Sequence, residues 1–324
     1  MRIAVTRRIF PELIVTLHAS YEVVDNQNDV ALSADELAVR LQAADGALLT
    51  AGERVDDALL AACPQLKVVS NIAVGYNNID LAACTRHGVA ATNTPDVLNE
   101  ATADHAWALL LAAARRVTES DRFVRAGRWQ RWEFEMLMGA ELFGSTLGIV
   151  GMGRIGRAIA RRAKGFGMRV VYHNRTRLPS AQEDGAIWMA TAEVLASADH
   201  VILVVPYSQA THHLIGAPQL ALMKPGAVLV NIARGGVVDD NALIEALQSG
   251  HLAAAGLDVF ENEPRLDARF LALDNAVLTP HIASSTRATR NAMAQLAMRN
   301  LGDVLAGRRP SALLNPEVWD SRRK

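Results

Sequence analysis

Apolar runs of strand length alternate with helix-period segments from one end of this 324-residue chain to the other. That alternation is the signature of parallel strands joined by crossover helices. The early strands read as Ile3-Ala4-Val5, Ala47-Leu48-Leu49 and Val68-Val69-Ser70. Between the first two, Ser33-Ala34-Asp35-Glu36 has the S-x-x-E spacing in which side chain and backbone cap each other at a helix start. After Ala91 the texture changes. Asn93-Thr94-Pro95-Asp96 is turn chemistry, and Thr102 to Arg116 reads as one long helix. It is apolar on too much of its surface for a solvated connector, so it is buried or lies at a subunit interface. From Leu147 onward six strands are predicted: Leu147–Val150, Arg169–Tyr172, His200–Val204, Ala227–Asn231, Ala253–Val259 and Ala276–Thr279. Six strands with crossovers are the inventory of a dinucleotide-binding sheet. This one starts in mid-chain, so the residues before it form another domain, to which the last helix, Thr286 to Ala306, can return.

Length and charge narrow the function. A chain of this size predicts about two domains, each with a sizeable core. A formal net charge of -1 argues against nucleic-acid partners, which call for a basic stripe. Cys63 and Cys84 form no C-x-x-C and no disulfide framework, which points to a reducing cytoplasm. The N-terminus is broken by charges and Pro11 before a signal-like apolar core can form. The longest apolar stretch, Ala106 to Ala114, is too short to span a bilayer. The expectation is a cytoplasmic protein with neither membrane nor nucleic acid as partner.

Gly151-Met152-Gly153-Arg154-Ile155-Gly156 directly follows the strand Leu147–Val150 and opens a helix. A G-x-G-x-x-G alone is weak, but the strand before and the helix after supply the context the motif requires. Gly151 allows the tight turn, Gly153 lets backbone approach a pyrophosphate, and Gly156 lets helix and strand pack closely. The end of the next strand selects the dinucleotide. NAD is usually held by an acidic residue there, whereas this chain reads Tyr172-His173-Asn174-Arg175-Thr176-Arg177. Two guanidinium groups and no carboxylate suit a 2′-phosphate, so NADPH is expected to be preferred, with NADH the lesser cofactor.

Three further motifs lie near the ends of later strands: Asn231-Ile232-Ala233-Arg234-Gly235-Gly236, Leu257-Asp258-Val259-Phe260-Glu261-Asn262-Glu263-Pro264, and Thr279-Pro280-His281-Ile282-Ala283-Ser284. Their chemistry suits reduction of a 2-keto acid. Arg234 can hold carboxylate and keto oxygens in fork geometry. His281 can give a proton to the forming alkoxide, because a free imidazole titrates near neutrality, at about 6.5. A neighbouring carboxylate would orient that ring, and Asp258, Glu261 and Glu263 compete for the role. His212-His213 would diverge on any regular element, and with no H-E-x-x-H or C-x-x-C no metal is expected.

Taken together, the glycine loop and these motifs resemble the D-isomer-specific 2-hydroxyacid dehydrogenase family. The resemblance covers nearly the whole chain, including Ala73-Val74-Gly75-Tyr76-Asn77-Asn78-Ile79-Asp80. With the Trp129/Trp132 pair, it is most similar to the glyoxylate/hydroxypyruvate reductase branch. The resemblance implies an α/β fold of two doubly wound parallel-sheet domains, a Rossmann dinucleotide-binding domain at 99–285 inserted into a flavodoxin-like substrate-binding domain at 1–98 plus 286–324. It implies NADPH-dependent reduction of glyoxylate to glycolate and of hydroxypyruvate to D-glycerate, with Arg234, Glu263 and His281 as catalytic residues. Glu263 is selected by the family's Glu immediately before Pro. Val74, Gly75, Ser284 and Trp132 would join Arg234 and His281 around the substrate. Thr102, Val205, Pro206, Thr211, Ile232, Ala233, Asp258 and Ala283 would join Arg154, Ile155 and the residues above around the cofactor. Ala283 departs from the Gly of many relatives. A homodimer is expected, with the Thr102–Arg116 helix and the segment through Trp132 in its interface. The rivals are a 2-ketogluconate reductase within the same chemistry and, in another class, a dinucleotide-sensing co-repressor.

Overall fold

The computed structural model describes residues 1–323. The chain divides into two compact units: Met1–Leu98 together with the segment from Thr286 onward, and Asn99–Ser285. No helix among the described residues is long and apolar enough to cross a membrane.

The first unit carries β1 (Arg2–Val5), β2 (Glu22–Val24), β3 (Gly46–Leu49), β4 (Val68–Asn71) and β5 (Ala90–Thr92). They form one parallel sheet in the order β2-β1-β3-β4-β5, the flavodoxin-like order. Side-chain alternation sends Ala4, Ala47, Leu49, Val69 and Ala91 into a core with Leu37, Leu41, Leu59 and Leu60 of the helices Ala34–Leu41 and Asp57–Ala62. The closing helix Arg287–Leu305 packs against β3, β4 and β5. It starts where Thr286 Oγ1 accepts from the Thr289 amide at 3.1 Å, and Ser70 Oγ donates to its Ala297 carbonyl at 2.9 Å. The Ser33/Glu36 capping box forms as the spacing predicts. Sequence reading omits β2 and β5, because three residues are too few to carry a period-2 signal.

The second unit carries β6 (Thr146–Val150), β7 (Arg169–His173), β8 (Ile187–Trp188), β9 (His200–Leu203), β10 (Ala227–Asn231), β11 (Leu252–Leu257) and β12 (Ala276–Leu278). The order is β12-β11-β10-β9-β6-β7-β8. Counted from β6, this is the dinucleotide-binding order with a seventh strand at one edge. The expectation of six strands is corrected by the two-residue β8, an edge strand with both residues exposed.

Both faces of this sheet are covered. Leu147, Ile149, Val228 and Val230 face one core, while Val150, Ala227 and Leu229 face the other. Strands buried on both faces read as continuous apolar runs, which is why they are legible in the sequence. Each fully buried aliphatic side chain contributes about 1.5–3 kcal/mol. The helix Asn99–Ala114 packs on β10, β11, β12 and the helix Arg154–Ala163. Leu109, Leu110, Ala113 and Ala114 are all buried within the unit. Much of its apolar surface is therefore met by its own unit, while Asp104 and Ala108 stay exposed. It ends before the predicted Arg116, because that residue turns left-handed (φ 53°) and starts the next helix, Val117–Arg125.

Candidate active site

β6 runs straight into the glycine loop. Gly151 has φ 106°, a conformation L side chains rarely adopt, and a Cβ there would lie 2.6 Å from the Val204 carbonyl oxygen. A Cβ on Gly156 would strike the Gly151 carbonyl oxygen, so both glycines are required for strand, turn and helix to meet. Gly153 faces open space and is the N-cap of Arg154–Ala163, with no side chain capping the first turn. Arg154 and Ile155 stand in that turn. A helix start without a side-chain cap, its positive dipole end and room for close approach fit a dinucleotide pyrophosphate. Asn174, at the end of β7, fastens the loop by accepting the Met152 amide at 2.6 Å.

The basic turn after β7 is divided in its allegiance. Arg175 and Thr176 are exposed, and the Arg175 side chain has no partner among the described residues. Arg177 instead donates two hydrogen bonds to Glu183, at 2.8 and 3.0 Å, and Tyr172 Oη donates to the same carboxylate at 2.7 Å. One of the two guanidiniums of this turn is thus paired with an acid that turn-level reading does not connect to it. Val205 and Pro206 follow β9. Thr211 Oγ1 donates to the Pro206 carbonyl and accepts from the Ser208 amide, both at 2.8 Å, so its side chain shapes its own loop. Thr102 is buried in the Asn99–Ala114 helix.

The loops after β10, β11 and β12 bring charged groups together. Ile232 and Ala233 are buried where β10 ends, and the Ala233 amide donates to Asn231 Oδ1 at 3.0 Å. Arg234 Nη1 donates to the Ala233 carbonyl at 2.7 Å. Burial pulls the Arg234 guanidinium below its ordinary pKa, against the opposing fields of Glu263 and Asp258. Glu263 Oε2 lies 2.8 Å from His281 Nδ1, and Glu263 Oε1 accepts the Phe260 amide at 2.9 Å. Burial pushes the Glu263 carboxyl up. The hydrogen bonds from His281 and Phe260, with the charges of His281 and Arg234, outweigh it and hold the carboxyl below its ordinary value. Of the three competing acids, Glu263 reaches the imidazole. The Glu261 carboxylate goes elsewhere, its Oε1 2.5 Å from His213 Nε2.

His281 sits at φ 54°, a left-handed conformation that costs a non-glycine residue about 1–2 kcal/mol. The loop holding it there is fastened to Asp258. The His281 amide donates to the Asp258 carbonyl at 2.9 Å. The Ile282 and Ala283 amides donate to the Asp258 carboxylate at 2.8 and 2.9 Å, and Thr279 Oγ1 donates to it at 2.6 Å. Asp258 is only 1% exposed. Its side chain is directed to the loop of Thr279 to Ala283, and Ser284 follows in the same segment. Sequence reading also misses His105, whose Nε2 lies 3.0 Å from Thr279 Oγ1. The available signal was a lone imidazole among the apolar residues of a buried helix.

His212 and His213 do not diverge: outside regular structure their rings stack, centroids 4.0 Å apart at 23°. With Glu261 they bring three ligand-type atoms within 4.8 Å of one another. His213 Nε2 is already 2.5 Å from Glu261 Oε1. Rings this parallel send their lone pairs side by side rather than toward one point, so chelation would require them to turn. Trp132 is 77% exposed, against Phe134 edge to face. Val74 and Gly75 lie in the first unit, where Asn93 Nδ2 and Asn71 Nδ2 donate to their carbonyls at 2.8 and 2.9 Å.

Comparison with known proteins agrees with this architecture. Residues 107–283 match the family model of the D-isomer specific 2-hydroxyacid dehydrogenase, NAD binding domain. A glyoxylate reductase of Thermococcus onnurineus is 47% identical, the match covering 99% of this chain and 98% of that one. A glyoxylate reductase of Pyrococcus furiosus is also 47% identical, over 99% of this chain and 97% of its own. Among solved structures, a Thermus thermophilus protein superposes with a TM-score of 0.91 at 44% identity, covering 97% of this chain and 100% of that one. An NADPH-dependent glyoxylate/hydroxypyruvate reductase of Sinorhizobium meliloti, in complex with NADP and malonate, gives 0.88 at 35% identity, covering 100% and 98%. The chain belongs to the D-isomer specific 2-hydroxyacid dehydrogenase family, in its glyoxylate reductase branch, and is an oxidoreductase that binds a nicotinamide dinucleotide.

Proposed function

We propose that the protein reduces small 2-keto acids with NADPH, glyoxylate to glycolate and hydroxypyruvate to D-glycerate. The observation that carries this reading is the 2.8 Å contact of Glu263 with His281, beside the half-buried Arg234. The bound dinucleotide would supply the hydride to the carbonyl carbon. Arg234 takes the substrate's carboxylate and keto oxygen in its fork, which orients the carbonyl and stabilises the charge that grows on oxygen. His281 gives that oxygen its proton. Because Glu263 engages Nδ1, the transferred proton is carried on Nε2, and the carboxylate steadies the ring through the transfer.

In this reading Asn99–Ser285 is the dinucleotide-binding domain, and Met1–Leu98 with the segment from Thr286 is the substrate-binding domain. The N–H groups of Val74 and Gly75 anchor the substrate carboxylate. Their carbonyls are held by Asn93 and Asn71, and their amides have no acceptor among the described residues. Arg175 grips the 2′-phosphate of NADPH. Glu183, the nearby acid that could repel that phosphate, is neutralised by Arg177. The exposed Trp129, Trp132, Phe134, Met138 and Phe143 support a homodimer in which Trp132 limits substrate size. A cytoplasmic location accords with the two free, buried cysteines.

The test is initial-rate kinetics with glyoxylate, hydroxypyruvate and 2-ketogluconate, each with NADPH and NADH. The expected result is faster turnover of the two short substrates and a preference for NADPH. Faster turnover of 2-ketogluconate, or equal efficiency with the two nucleotides, overturns the corresponding part of the reading.

A further inference from the structure

His105 belongs to the Asn99–Ala114 helix, yet its side chain reaches the loop that carries His281. Gly256 on β11 permits this closeness: a Cβ there would lie 2.9 Å from the Cβ of Leu109, one turn along the same helix. His105 Nε2 is 3.0 Å from Thr279 Oγ1 and 3.3 Å from Asp258 Oδ1. The proton assignments follow from donor counting. Asp258 is ionised and can only accept, and Thr279 has one hydroxyl proton, which goes to the carboxylate at 2.6 Å. The Thr279 oxygen is then an acceptor toward His105, so Nε2 of His105 carries a hydrogen. That N–H points at both the hydroxyl oxygen and the carboxylate.

We propose that His105 is a positioning residue for the reduction: through Thr279 and Asp258 it fixes the loop that holds His281 in its left-handed conformation. The Ile282 amide donates to Asp258 Oδ1, the oxygen that Thr279 and His105 also engage, and the Ala283 amide donates to Oδ2. A carboxylate pinned at Oδ1 by Thr279 and His105 presents both amides with acceptors that do not rotate. The ring of His281 then meets Glu263 and the substrate at one angle only. His105 touches neither the proton nor the keto acid; its effect passes through the carboxylate.

This inference rests on the proposed reduction, so its test has two arms, one independent of turnover. Steady-state kinetics with glyoxylate and NADPH, and hydrogen–deuterium exchange over 279–285, are compared for wild type, His105→Leu and His105→Gln. His105→Leu is expected to lower kcat about 10-fold and to speed exchange of the Ile282 and Ala283 amides by a similar factor. KM for glyoxylate and the Kd for NADPH, from fluorescence quenching, stay within about twofold. His105→Gln, whose amide can restore the N–H donor, returns both rate and exchange to within about threefold of wild type. Unchanged rate and exchange in His105→Leu overturn the proposal. So does a glutamine variant as impaired as the leucine one, which would make the role one of packing. Should His105→Leu not fold, Thr279→Val cuts the same relay, and wild-type rate and exchange in that variant overturn it equally. A wild-type protein that turns over no 2-keto acid defeats the functional reading, and the exchange arm still decides the role of His105.

Discussion

In the Asn99–Ser285 unit, β6 ends in a glycine loop whose helix starts with its first N–H groups uncapped and open space at Gly153. In the other unit, β1 ends in Thr6 to Phe10, where Asp29 accepts from Arg7 Nε and the Arg8 amide, and the helix opens on Pro11, which has no N–H to offer. Both units are parallel sheets with crossover helices, and both present loops at the carboxyl ends of their strands. In the first unit Asp29 and Glu53 receive backbone amides, and Asn71, Asn78 and Asn93 donate to nearby backbone carbonyls. In the second unit Asn174 and Asn231 also fasten loops, but the loops after β10 to β12 add three acids, Asp240, Asp258 and Glu263, that receive backbone amides beside Arg234 and His281. Topology thus supplies the same kind of edge twice, and loop chemistry distinguishes the two.

The sharpest way to break this contrast is to remove the charged groups of the second unit. His281→Ala is expected to lower kcat by about 10³-fold while the Kd for NADPH stays within twofold, measured by turnover and fluorescence titration. Normal turnover would remove His281 from the chemistry. Arg234→Gln is expected to reduce kcat/KM for glyoxylate by about 10²–10³-fold, because a neutral amide can neither clamp a carboxylate nor meet developing charge. The two arginines of the basic turn should separate. Arg175→Ala is expected to raise KM for NADPH by about 10-fold and leave NADH unchanged, while Arg177→Ala lowers Tm by freeing the Glu183 carboxylate. Identical cofactor effects from both would mean that Arg177 leaves Glu183 to bind the phosphate. On the first unit, Asn93→Ala releases the Val74 carbonyl and is expected to raise KM for glyoxylate about threefold with little change in kcat. No change would leave that unit without a hand in substrate binding.

The smallest expected effect is on stability. Burial pushes the Asp240 carboxyl up to about 6, with repulsion from Glu261, Asp267 and Asp239 adding to it and the Glu261 amide opposing. An acid whose folded pKa is raised favours the fold fully below its unfolded pKa, and that contribution is lost as pH rises through 6. Asp240→Asn keeps an oxygen for the Glu261 amide and has no ionisation to suffer. It should match wild type in denaturant melts near pH 4 and exceed it by about 1–3 kcal/mol above pH 7. Equal stability at both pH values would place the ionised carboxylate in a better-solvated setting than its burial suggests.

Much of this was legible beforehand. The central strands of both sheets are buried on two faces, so their apolar runs stand out; β2, β5 and β8 are two or three residues long and leave no such trace. The glycine loop was readable because backbone geometry forbids side chains there, and that prohibition is written in the sequence itself. The placing of Arg234 and His281 just past strand ends is readable from residue type and pattern, whereas the choice of Glu263 over Glu261 and Asp258 as the partner of His281 needs a family pattern. Pairings between distant residues were not readable. Nothing near Arg177 announces Glu183 as its partner, nothing near His105 announces Thr279, and the stacking of His212 on His213 depends on backbone outside any regular element. The apolar helix Asn99–Ala114 could be recognised as needing cover, but not what covers it.

What the sequence alone determined is the alternation of elements, the glycine turn and the kinds of charged group at the strand ends, because each follows from local sterics, periodicity or side-chain chemistry. The tertiary structure alone decided which charges meet: that Glu263 faces His281, that Asp258 is directed to the loop behind it, and that one arginine of two remains unpaired. Hydrogen bonds and ion pairs act over a few ångströms in space, and only folding sets which residues far apart in the chain come within that reach.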